Sequence, residues 1–481
     1  MKVLFISPEV GPIVRAGGLG DVVGALPIAL KEIGIDVRII CPLHRECKVV
    51  DATKLKIPIK LRFGTKSYSL NVKQSELGNS GIPVYLLENK FLFDRPGIYA
   101  DENGNYTDNP IRCFALAKSA IQLKKVINWS ADIYHCHDWM TGALPAYLNV
   151  ENRKNKSNSK SVLTIHNLEH QGSFPEENFD LSKLPNTFFG WDGFNHYGAM
   201  NLLKGGIQHA DKITTVSPTY ANEIRTEQYG ESLEKSLDYR GGDLIGILNG
   251  IDTNSWNPKA DSALEHPICH NSPEKGKFLN KVELLKEMKL PLEKNIPLLG
   301  VVSRLFHQKG LDMLAECLPQ LTNDQKFQLV VLGSGEKALE DSFLNLAKSY
   351  SNKISIHIGF DDKLARRIFA GSDFFIMPSR FEPCGLAQQY AMRYGSIPVA
   401  RNTGGLADTI IDLEKDQRHS NGLLFQEPSP DCLRQVINRA IKLFQQPNQF
   451  KSIRKNALNS YFSWDLAAKK YENVYQWALQ S

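Results

Sequence analysis

Two α/β domains, each built on a parallel sheet with helices on both faces, form the fold class this sequence predicts. Three observations lead there. Short, continuously apolar runs such as Lys2–Ser7, Leu298–Ser303 and Phe374–Met377 read as strands covered on both faces. Helix-length segments alternate with them, which calls for parallel pairing. A chain of 481 residues is also too long for one core. The sequence turns polar and irregular over Pro258–Pro273, so the predicted domains are 1–258 and 259–460, with a last helical segment at 461–481.

In the first domain, the strand Lys2–Ser7 leads into a loop ending Arg15-Ala16-Gly17-Gly18-Leu19-Gly20, then a helix from Asp21 to about Ile33 and a strand Val37–Cys41. The glycines allow a sharp turn and close approach of a ligand. Their spacing is neither G-x-G-x-x-G nor a P-loop. Leu61–Val72 reads as a peripheral antiparallel pair, and Val84–Leu87 as another strand. The loop from Asp94 to Asn109 is polar and aromatic, a surface that suits sugars. After the helix Ile111–Val126, the strand Asp132–Cys136 ends in His135-Cys136-His137-Asp138-Trp139. Two histidines flanking one strand residue point the same way; with no third ligand at useful spacing, a packed, hydrogen-bonded pair is expected rather than a metal site. Val162–Ile165 ends in His166-Asn167, so strand ends bring Arg15, His137, Asp138 and His166 to one sheet edge. Lys212–Val216 and Leu244–Leu248 are further strands, the latter running into an Asn249-Gly250 turn.

The second domain opens with a helix at Phe278–Lys289 and the strand Leu298–Ser303, which ends in Arg304. Gln308-Lys309-Gly310 precede a helix, and strands follow at Gln328–Leu332, Ile354–Ile358, Phe374–Met377 and Ile397–Ala400. Gly333-Ser334-Gly335 and Thr403-Gly404-Gly405 are read as open backbone amides directly after strands. Between Phe374–Met377 and the helix Ala387–Tyr394 lie Arg380, Glu382, Cys384 and Gly385, at the carboxyl end of a strand, where open α/β sheets hold ligands. Tyr471 and Tyr475 share one face of the final helix.

Composition narrows the function. Hydrophobic residues make up 42% and charged residues 23%, as in ordinary globular proteins. The net charge of +5, from 57 basic and 52 acidic residues, argues against a dedicated nucleic-acid surface while leaving small anions open. Eight cysteines without a CxxC pair imply neither a disulfide framework nor zinc, and fit a reducing compartment. No apolar run approaches the roughly 20 residues that span a bilayer. Lys2–Ile6 reads as a strand at the start of the sequence, so no signal or transit segment is expected there. A cytoplasmic protein without a membrane partner is expected, in a bacterial cytosol (cyanobacterial included), with a plastid stroma open only to a chain whose transit peptide was removed.

At this point the motifs resemble those of bacterial and plastid-type glycogen/starch synthases, retaining glycosyltransferases of the GT-B fold, family 5. They are SPEVGPIVRAGGLGDV (7–22), DRPGIY (94–99), HCHDW (135–139), TIHN (164–167), ADKITTVSPTYANEI (210–224), ILNGIDTNSWNP (247–258), SRLFHQKG (303–310), EPCGL (382–386) and NTGGLADT (402–409). The resemblance implies two Rossmann-like domains facing across a cleft, with the last helix crossing back onto the first. It implies glucose transfer from ADP-glucose to the 4-hydroxyl at the non-reducing end of an α-1,4-glucan (glycogen, amylopectin or malto-oligosaccharides), with retention and with no metal or other cofactor.

By the same resemblance, Arg304 and Lys309 match the phosphate-binding pair, Glu382 the acid holding the donor sugar's hydroxyls, and His166 the histidine on that sugar. Asp21 lies near the reacting centre. Arg15, Gly18, Asn249, Phe360, Cys384, Gly385, Leu386, Thr403 and Gly404 fall on the donor side, Phe360 where an aromatic stacks on adenine. Glu9, Tyr99, Asn105, Asp138, Trp139 and Asn167 fall on the glucan side. The cationic grip makes chemical sense, because charge develops on the departing diphosphate. Arg15 departs from the family's usual Lys, and the two cations are not interchangeable. Tyr390 stands where related transferases carry a second glutamate. Two other readings stay open at this level: a sucrose-synthase-like enzyme using UDP-glucose, and a glucan-binding homologue without transfer.

Overall fold

The computed structural model describes residues 1–49 and 51–481. The chain divides into two compact units, Met1–Asn249 with Trp464–Ser481, and Gly250–Ser463.

The first unit is a sheet with strand order Leu244–Gly246, Lys212–Thr215, Lys160–Ile165, Ile133–His137, Lys2–Ile6, Asp36–Pro42, Pro83–Glu88, Lys66–Glu76, Thr53–Lys54. The first seven strands pair in parallel. Lys66–Glu76 runs antiparallel to Pro83–Glu88, to Ile59–Phe63 and to Thr53–Lys54, the peripheral arrangement expected there. The central strands are apolar throughout because helices cover both faces. Strand order reverses between Lys2–Ile6 and Ile133–His137, and ligands of open α/β sheets bind beyond such a reversal. The helix Gly18–Glu32 starts three residues earlier than its sequence indicated. The closing helix Trp464–Gln480 buries Trp464, Ala468, Tyr471, Tyr475 and Ala478 in the same core as Val22, Val23, Leu26 and Leu30.

The second unit is a six-stranded parallel sheet, ordered Ile354–Ile358, Gln328–Gly333, Leu298–Val302, Phe374–Met377, Ile397–Arg401, Leu423–Phe425. Its reversal lies between Leu298–Val302 and Phe374–Met377. The unit boundary falls at Asn249/Gly250 rather than at 258, for a tertiary reason. Trp256 stacks on Tyr390 at 3.8 Å between ring centroids and carries the Arg366 guanidinium 3.9 Å above its ring. Asp261 accepts from Arg366 Nη1 at 2.9 Å and from the Tyr394 hydroxyl. The irregular stretch after Gly250 is therefore stitched onto the second unit. At the other end Phe462 and Ser463 also belong to this unit, where the Ile251 amide donates to the Phe462 carbonyl.

Candidate functional site

Most of the site residues expected from the sequence fall into two groups, one near the sheet reversal of each unit, while Phe360 follows an edge strand and Asn105 lies on a separate hairpin.

In the second unit, Val302-Ser303-Arg304 and Met377-Pro378-Ser379 leave adjacent strands and line a cleft of about 190 Å³ with Lys309, Glu382, Gly385 and Leu386. Glu382 is only 6% exposed, and its Oε2 accepts from Lys309 Nζ at 2.6 Å and from Ser379 Oγ at 3.0 Å. Arg304 is exposed, its guanidinium 5.4 Å from the centre of the Phe306 ring. Arg380 is turned away: it makes two bonds to Asp312, at 2.7 and 2.6 Å. The Glu382 loop is held by close backbone packing. A Cβ on Gly404, whose φ is +45°, would sit 2.0 Å from the Glu382 carbonyl oxygen, so only glycine fits. Thr403 is the fully buried N-cap of the short helix Gly404–Thr409. The amides read from sequence as open are largely used. Gly405 donates to the Glu382 carbonyl of the neighbouring loop, Thr403 to the Arg401 carbonyl and Gly335 to Glu340 Oε1 on the following helix. Cys384 is buried, and Phe360 is 82% exposed at the end of its strand. Ser379 was not singled out in the sequence; a hydroxyl three residues before the acid was the available signal.

In the first unit the groups interlock. Glu9 is 2% exposed; its Oε2 accepts from the Ala16 and Gly17 amides at 2.6 and 3.0 Å, and its Oε1 from the Tyr99 hydroxyl. Its carboxylate thus anchors the glycine-rich loop instead of lying open. Gly17 has an extended φ of −156° and Gly18 opens the helix, so the loop does not turn on a glycine-only conformation. Space is the reason at Gly20, where a Cβ would lie 2.9 Å from Arg15 Cγ. Arg15 Nη1 pairs with Asp21 Oδ1 at 2.6 Å, both partly exposed. Tyr99 lies 5.9 Å from Trp139, which lies 6.1 Å from Phe174. Asp138 holds φ +55°, an uncommon conformation for a non-glycine residue, and accepts the His166 amide at 2.7 Å. Burial pushes its carboxyl up to about 7 despite the amides that bond it. His166 Nε2 lies 2.9 Å from His137 Nδ1, and burial pushes His166 down to about 3. His135 and His137 form the packed pair expected, 4.3 Å between centroids, with His135 bonded to Tyr475 and Thr164. Asn167 Oδ1 accepts the Glu169 amide at 3.1 Å. Asn105 is exposed on a two-stranded hairpin, and Asn249 is buried where the Met1–Asn249 segment ends. Among the described residues no group of three His, Cys, Asp or Glu side chains is placed to hold a metal.

Two parallel α/β sheets, each with a reversal of strand order, define a protein of two Rossmann-like units. Residues 2–239 match the starch synthase catalytic domain family and residues 285–457 match glycosyl transferases group 1. Glycogen synthase 2 of Geobacter sulfurreducens is 40% identical over 487 residues, covering 99% of both chains. The catalytic domain of starch synthase IV from Arabidopsis thaliana, described as bound to ADP and acarbose, superposes with a TM-score of 0.90 at 31% identity, covering 100% of this chain and 99% of that one. Sucrose-phosphate synthase from Thermosynechococcus elongatus, at 16% identity, 100% and 99% coverage and a TM-score of 0.59, shares the fold alone. The chain belongs to the glycogen/starch synthase family of GT-B glycosyltransferases. Its activity is glycogen or starch synthesis from a nucleotide sugar and a glucan. No helix among the described residues is long and apolar enough to cross a membrane.

Proposed function

We propose that the donor is ADP-glucose and that glucose passes, with retention, to the 4-hydroxyl at the non-reducing end of an α-1,4-glucan. The observation that carries this reading is the pair of half-buried Lys309 and buried Glu382 beside exposed Arg304 at the sheet reversal. In this reading Arg304 and Lys309 meet the diphosphate, where fixed cations lower the cost of developing charge. Glu382 accepts from the glucose hydroxyls, while Cys384, Gly385, Leu386, Thr403 and Gly404 shape the pocket and Phe360 stacks on adenine. His166 and Gly18 meet the donor from the first unit, with Asn249, and Arg15 and Asp21 act near the reacting carbon. Tyr99, Asn105, Asp138, Trp139 and Asn167 face the glucan, and Glu9 serves that side by holding the loop and Tyr99. The bond from the anomeric carbon to phosphate oxygen breaks as the acceptor's O4 bonds that carbon on the same face, and the hydroxyl proton passes to the departing phosphate. The ADP in the Arabidopsis structure supports an adenine nucleotide. The reading needs no divalent cation, and the eight unpaired cysteines suit a cytoplasmic setting.

A donor screen tests it: ADP-glucose and UDP-glucose, each with glycogen and with fructose. ADP-glucose with glycogen should give the fastest nucleotide release. Preference for UDP-glucose and fructose would replace this reading with a sucrose-forming one. Chelator should leave turnover unchanged; loss restored by added divalent metal would reject the cation-free part.

A further inference from the structure

We propose that His137 is a positioning residue that fixes His166 as its Nδ1–H tautomer, so that His166 offers a neutral N–H donor to a hydroxyl of the sugar being transferred. The inference rests on the reading that His166 faces that sugar. Its argument is a count of protons. His137 Nδ1 and His166 Nε2 lie 2.9 Å apart, with the rings 5.2 Å between centroids and 29° between planes, so one proton sits between them. Burial holds both rings well below the usual histidine range, which makes both neutral.

Two arrangements satisfy one shared proton. Were His166 Nε2–H the donor, His137 would carry its own proton on Nε2. That nitrogen is buried without a partner in a side chain with 0% exposure. A buried N–H with no acceptor is destabilising, and orphaned donors are rarer than underused acceptors. With His137 Nδ1–H as donor, Nε2 is only a bare lone pair packed among rings, His135 at 4.3 Å and Phe5 at 5.2 Å. His135 does not compete, because both its nitrogens are engaged, with Tyr475 at 2.8 Å and Thr164 at 2.6 Å. His166 Nε2 therefore accepts, and its proton resides on Nδ1. That nitrogen has no partner among the described residues, the ring is partly exposed, and the Asp138 bond to the His166 amide fixes the backbone that aims it. Strand register explains the pairing: His137 lies opposite Thr164 in the parallel ladder, and His166 is two residues further on the same face.

The test uses full-length protein labelled with 15N at histidine, with ring nitrogen–proton correlations assigned through the variants His137→Asn and His166→Gln. The expected spectrum shows His166 protonated at Nδ1 and bare at Nε2, and His137 likewise. Protonation of His166 at Nε2 overturns the proposal. Kinetics give a second readout. His137→Asn retains an N–H near the Nδ1 position and should keep kcat within about threefold, whereas His137→Leu should lower it roughly tenfold to a hundredfold, as loss of an orienting partner does. Equal loss in both variants, or none in either, would overturn the hydrogen-bond account. The wild-type spectrum decides the point even where a variant does not fold. Absence of glucosyl transfer in the wild type would sink the functional reading while leaving the tautomer result to stand by itself.

Discussion

In the first unit a cluster of neutral rings and hydroxyls sits at the centre of the sheet, whereas the second unit adds several buried or half-buried ion pairs to its neutral polar groups. His135, His137, Thr164, Thr214 and Tyr475 form the interior of one. In the other, Asp373 joins Lys281 and Arg454, Glu382 joins Lys309, and Asp261 joins Arg366. In the proposed reading the neutral groups of the first unit orient a sugar's hydroxyls, and the Lys309–Glu382 pair of the second holds a cation ready for a diphosphate. The two units should consequently fail in different ways.

Removing an acid from the second unit should have the largest effect on stability. Asp373 is 7% exposed and accepts from Lys281 at 2.8 Å, Arg454 at 2.8 Å and the Leu298 amide at 3.0 Å. Burial by itself would raise its carboxyl, but the two cations outweigh this and hold it below the usual range. Asp373→Ala leaves two buried cations unpaired and should cost about 3–5 kcal/mol. Calorimetry should show the loss in the transition of the second unit; an unchanged transition would mean the triad is not what stabilises it.

Next in size is the site itself. Lys309→Ala or Glu382→Ala should lower kcat by about a hundredfold to a thousandfold, with circular dichroism unchanged, as for loss of one fixed donor at a developing charge. Turnover like that of the wild type in either variant would remove the pair from the chemistry.

Acid should separate the units. His44 and His166 are pushed down to about 3 by burial, His44 with help from Arg112. Below pH ~6.5 the unfolded chain takes up protons that these native rings refuse, so their contribution to stability falls as pH falls, by about 2 kcal/mol each at pH 5. Asp138, pushed up to about 7, works the other way and softens the loss. The depressed Asp373 contributes stability above the ordinary carboxylate range of about 4 and loses it only below that. Hydrogen exchange at pH 5 should therefore open Met1–Asn249 before Gly250–Ser463. The reverse order would contradict the comparison.

The smallest effect is expected at Arg15, which pairs with Asp21 at a partly exposed position where such pairs contribute about 0–1 kcal/mol. Arg15→Lys should preserve turnover or raise it. A collapse in kcat would show that the guanidinium geometry is required.

Apolar runs of five or six residues, alternating with helical segments, determined both parallel sheets and the strand ends on which the motifs sit, because burial on both faces leaves its mark residue by residue. Arg304 and Glu382 were legible as residues beyond strand ends, and their roles, with that of Lys309, came from the motifs SRLFHQKG and EPCGL. The tertiary structure alone decided which side chains meet. Glu9 closes on the loop at Ala16-Gly17 and on Tyr99, the Gly405 amide turns back to Glu382, and Trp256 draws the stretch after Gly250 onto the second unit. Those partners depend on strand order and on loops folding across sheet edges, and contacts between residues 30 or 130 positions apart leave no periodic trace in either segment.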